Sequence, residues 1–151
     1  MKSQIIISLV FLIFSFSCGE SPKENRISEK DGQEVTLKDH ESEAIELDVG
    51  QKWELEANMR IYIRTMESDL ATFKGTTLAD YQTLSGSLKK NIDLLTANCT
   101  MTGKSHDELH KWLLPYIDLV KGLSEAKDET EAARQLENIQ ISLNTYNQYF
   151  L

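Results

Sequence analysis

An all-α fold, an antiparallel up-down-up-down four-helix bundle, is what the sequence predicts for residues 49–151. Three observations carry that expectation. Apolar residues recur every three or four positions in four successive stretches. Start and stop signals separate the stretches. No segment alternates with period two, and hairpin signals built from Gly, Pro or Asn are missing. Short connections between helices of about 20 residues then favour antiparallel neighbours.

The first stretch runs Leu55, Met59, Tyr62, Met66, Leu70, Phe73, and Gly75 with Thr76 stops it. Thr77 and Asp80 form a capping pair ahead of the second: Leu78, Tyr81, Leu84, Leu88, Ile92, Leu95. That stripe extends to Cys99, four residues on. Ser105 and Glu108 read as a capping box for the third stretch, Leu109, Trp112 or Leu113, Tyr116 and Val120. Pro115 falls inside it and predicts a kink, because it cannot donate to the carbonyl of Lys111. Asp128 and Glu131 open the fourth: Ala132, Leu136, Ile139, Leu143, Tyr146 and Phe150.

The whole chain of 151 residues carries 24 acidic and 16 basic side chains, a net charge of -8. With two prolines, seven glycines and 40% hydrophobic residues it suits one small globular domain. Two cysteines exclude a disulfide-stapled miniprotein. The acidic balance argues against nucleic acid, since no basic stripe is available for phosphates.

Residues 1–17 read as an address. Lys2 precedes the apolar run Ile5–Ser17, which is short for a membrane-spanning helix. The run ends at Ser17-Cys18-Gly19, and a small residue followed by Cys resembles a bacterial lipobox. Phe16 departs from the strict pattern, and its looser form resembles that of Bacteroidetes. Cys18 is therefore the expected lipidation site, making the chain a membrane-anchored lipoprotein of the cell envelope facing outside the cytoplasm. A plain secretory signal or an uncleaved anchor is the alternative. Residues 18–48 are expected to be the lipidated Cys and a disordered acidic tether. From 19 to 48 there are ten acidic and four basic residues and no aromatics.

One segment looks chosen for reactivity: Asn98-Cys99-Thr100-Met101-Thr102-Gly103-Lys104-Ser105-His106-Asp107-Glu108-Leu109-His110. Two histidines four apart share a helical face, so their rings can meet at one ion. Cys99 and Met101 supply soft sulfur upstream. Thiol, thioether and imidazole together lean toward copper, particularly Cu(I); zinc gains little from Met.

The expected metal ligands are thus Cys99, Met101, His106 and His110, with Asp107 as an acceptor behind an imidazole. Bundle topology places Met59 at the same end as a possible further ligand. Met59 opposite His110 also sketches a noncovalent haem pocket, there being no C-x-x-C-H motif. A Cys99–His106 nucleophile and base lacks an orienting third group, so no enzyme is expected. Each residue also has a plain reading: Cys99, Met59 and Met66 as core, the histidines as structural. On that reading the chain is a structural or adaptor lipoprotein docking another envelope protein.

The stretch Cys99–Pro115 resembles a recurring signature of small, mostly uncharacterised helical envelope proteins of Bacteroidetes, approximately C-x-M-x-G-x-x-H-[DN]-x-L-H-x-[WFY]-L-x-P. The matching residues are Cys99, Met101, Gly103, His106, Asp107, Leu109, His110, Trp112, Leu113 and Pro115. Gly50-Gln51-Lys52-Trp53 with Met59 is similar to the start of the same domain. The resemblance implies that the loop and third helix act as a unit. It implies no activity.

Overall fold

A computed structural model describes residues 43–151, so the signal segment, Cys18 and tether positions up to 42 lie outside the described residues. The described chain forms four helices: α1 (Ala57–Thr72), α2 (Leu78–Ala97), α3 (Lys104–Glu125) and α4 (Glu129–Tyr149). Consecutive helices pack side by side, and α2 also meets α4 across the middle. The arrangement is the expected all-α bundle.

Amphipathic spacing explains the core. The buried face of α1 is Met59, Ile63, Met66 and Leu70; Ile63 rather than Tyr62 points inward. Tyr62 is half-buried, and its hydroxyl accepts from Asn98 Nδ2 at 3.3 Å. Tyr81, Leu84, Leu88, Ile92 and Leu95 are the core positions of α2, as expected. Both Trp112 and Leu113 are buried on α3, with Tyr116, Val120 and Leu123. Ala132, Ile139, Leu143 and Tyr146 complete the core from α4, and Phe150 closes it at the C-cap.

Aromatic rings concentrate at one end. Trp112 lies 4.8 Å from both Tyr116 and Tyr146, and Tyr146 stacks on Phe150 at 5.0 Å. The Trp112 indole N–H donates to the carbonyl of Ser142 at 2.9 Å, locking α3 to α4.

Two of the three expected caps form. Thr77 and Asp80 make a reciprocal capping box, and Asp128 accepts from the Glu131 N–H at 2.8 Å. The third does not. The N-cap of α3 is Gly103, at φ 71°, and Ser105 is already inside the helix. A residue without a Cβ adopts that backbone freely, and it starts the helix before Ser105 can cap it. Glu108 is meanwhile drawn to other partners, described below. Pro115 is exposed and α3 is helical through it from Lys104 to Glu125.

The packed body begins earlier than position 49. Ile45 packs on the core, and Glu43–Leu47, without regular secondary structure, is hydrogen-bonded to the start of α3. A tight turn follows, in which Asp48 and Gln51 exchange two backbone hydrogen bonds of 2.8 Å. Val49 and Gly50 at its tip have φ of 50° and 82°. Such turns favour Asn-Gly, and a β-branched residue at positive φ is strained there. Trp53 then pairs with α4's exit: its N–H donates to Tyr149 O at 2.8 Å, and the Leu151 N–H donates to Trp53 O at 2.9 Å.

Candidate metal centre

The connection between α2 and α3 lies where the spacing put it, at the end shared with the start of α1. Three hydrogen bonds fix it there. Asn58 Nδ2 donates to Asn98 O at 3.3 Å, Asn98 Nδ2 donates to the Tyr62 hydroxyl, and the Thr100 hydroxyl donates to the Glu56 carboxylate. The loop is thus pinned up to Thr100, and Gly103 turns the chain into α3.

Cys99 is a free, half-buried thiol. It lies one residue past the C-cap Asn98 rather than on α2 itself, yet it still packs against the core on the side to which the stripe extends. Met101 is half-buried against the core. His106 is half-buried in the first turn of α3, and His110 is exposed in the second. Their rings converge: the centroids are 4.2 Å apart with planes inclined at 52°. That follows from α-helical geometry at i and i+4.

Asp107 is exposed in the first turn, where a carboxylate favours the helix dipole. Met59 is fully buried among core side chains. It shares the end of the bundle with the loop but has the surroundings of a packing residue.

The histidine pair is therefore brought together, whereas Cys99 and Met101 share only its neighbourhood. Among the described residues no three His, Cys, Asp or Glu side chains are gathered around one point. The two imidazoles meet, and the thiol and thioether sulfur lie close to them in sequence. A haem ligated by Met59 and His110 fits less well, because one is sealed in the core and the other faces solvent. Among the described residues no arrangement points to catalysis.

Sequence reasoning misassigned one residue at this end. Glu108 is only 2% exposed. Its Oε2 accepts from the Glu46 N–H at 2.7 Å and its Oε1 from Lys111 Nζ at 2.9 Å. Burial by itself pushes the carboxyl pKa up, but the Glu46 N–H and the Lys111 ammonium outweigh it and leave the pKa lowered. Lys111 is raised in turn, chiefly by its bond to Glu108. The S-x-x-E spacing hid this role. The usable signal was an acidic residue beside Leu109 on an inward-facing side of α3.

No protein-family model, curated protein or solved structure matches the chain. Fold and local geometry must therefore carry any functional reading.

Proposed function

We propose that this chain is an extracytoplasmic helical bundle that binds a soft transition metal, most readily copper as Cu(I), for sequestration, delivery or sensing. The observation behind the reading is the convergence of the His106 and His110 rings at 4.2 Å beside a loop carrying Cys99 and Met101. Neutral imidazoles and soft sulfur are the donors that Cu(I) prefers. The pair sits at the rim of the bundle rather than inside it, and an accessible site suits handing an ion on better than holding it for structure. The envelope location and the acyl anchor at Cys18 belong to the same proposal and rest on residues 1–18 alone.

Titration of the reduced full-length chain with Cu(I) against a chromophoric chelator tests the reading. One tight equivalent is expected. It should disappear in His106→Ala/His110→Ala and weaken by at least about tenfold in Cys99→Ser or Met101→Leu, since losing even a residue behind a ligand costs about that much. Zn(II) should compete poorly. No binding by the unaltered chain sinks the metal reading. That leaves the second one, an adaptor docking an envelope protein, which Ile61 (62% exposed) and Leu151 (44%) favour, lining one open groove with Arg60 and Arg64.

A further inference from the structure

We infer that Glu43–Trp53 is a strap that holds the first two turns of α3 helical, and so sets the geometry of the His106–His110 pair. The metal consequence rests on the reading above; the mechanical one does not.

The start of α3 is only partly secured by its own sequence. Asp107 suits the dipole, but the N-cap Gly103 has no side chain to satisfy the free N–H groups, and Lys104 puts a positive charge at the positive end of the dipole. The strap offsets that charge and ties down the side chains of the first two turns. Glu46 places a carboxylate 3.1 Å from Lys104 Nζ, and its backbone N–H reaches the buried Glu108. Lys111 Nζ donates to Ala44 O at 3.2 Å and lies 3.8 Å from Glu43. The strap is braced internally, where the Trp53 indole N–H donates to Glu46 O at 2.6 Å, and its far end is tied to the exit of α4 through Tyr149 and Leu151. Ile45 packs on the core between these bonds.

The helix transmits the effect. At 100° per residue Lys104, Glu108 and Lys111 share one side of α3, while His106 and His110 fall on another. The strap does not cover the imidazoles. It grips the segment 104–111 from behind. If those turns unwind, the rings lose the i, i+4 relation that brings them together. Because the strap leads directly into position 42 and the chain before it, a load or partner acting there reaches the histidines through Glu46 and Glu108.

Glu46→Pro is the discriminating variant. It deletes the N–H that Glu108 accepts, and the carboxylate at Lys104, without altering any core side chain. Glu46→Ala removes the carboxylate alone. Amide hydrogen exchange of the full chain is the readout. In Glu46→Pro, residues 106–110 should exchange at least about tenfold faster while 116–123 stay protected, with a smaller change in Glu46→Ala. Unchanged exchange at 106–110 in Glu46→Pro overturns the strap. If the unaltered chain binds Cu(I), Glu46→Pro should weaken it several-fold with Cys99 and both histidines intact; equal affinity overturns the coupling to the site. A chain that frays as expected and never bound copper leaves the strap standing and removes only the metal reading.

Discussion

At the scale of single residues, two phenols stand out. Tyr116 and Tyr146 are fully buried, and among the described residues neither hydroxyl meets a hydrogen-bond partner. Burial drives both pKa values upward, so both stay neutral at any ordinary pH. An unpaired buried hydroxyl costs about 1–3 kcal/mol. Tyr116→Phe and Tyr146→Phe should therefore match or exceed the parent, by up to about 1 kcal/mol each in urea unfolding, whereas Tyr→Ala at either position should cost about 3–5 kcal/mol. A loss above about 1 kcal/mol in Tyr116→Phe would mean that its hydroxyl has a partner. Both tyrosines were legible as core from helical spacing. Their missing partners were not, because spacing assigns a face and says nothing of the atom at the end of a ring.

At the scale of elements, α2 and α4 begin at recognisable signals, whereas α1 and α3 begin without a side-chain cap. Thr77 with Asp80 and Asp128 with Glu131 are local, so sequence alone finds them. Ser105 with Glu108 has the same spacing, but Glu46, 62 residues away, takes the carboxylate instead. A long-range partner overrides a local pattern, and no window of sequence contains both. The same distance explains why Glu43–Asp48, with its many charges, reads as tether while its backbone and Ile45 are bound to α3.

Glu108 also gives α3 a pH dependence with a definite sign. Its carboxyl binds protons more weakly folded than unfolded, where the value is about 4.3. Its stabilising contribution is thus complete above that value and is lost as the pH falls through the lower folded one. Lys111, Lys104, Glu46 and Glu43 are the charges facing it. Urea unfolding between about pH 6 and 3 should show stability falling with acid, and the Glu108→Gln chain should show a shallower fall over the same range. Parallel curves for the two chains would mean that Glu108 contributes nothing to acid sensitivity.

At the scale of the whole molecule, four apolar stripes and their breaks sufficed for the bundle and for which end holds the α2–α3 loop. They sufficed because a helix that buries one face has few ways to pack with short loops. The candidate site was legible only in part. Two histidines at i and i+4 must meet if the segment is helical. The placement of Cys99 depends on where α2 stops, and Asn98 ends the helix one residue before it.

The pairing of Trp53 with Tyr149 and Leu151 brings the two ends of the bundle together, so that among the described residues its path is nearly a ring. The order in which the helices are joined is then a matter of where the ring is cut. A circular permutant follows, with a Gly/Ser linker of about 12 residues, spanning roughly 20 Å, from Leu151 to Glu43 and new ends between the exposed Lys127 and Asp128. It should retain the helical circular dichroism and a single cooperative melt. A broad, non-cooperative transition would mean that the α3–α4 connection organises the core, and that the seam at Trp53 merely closes it.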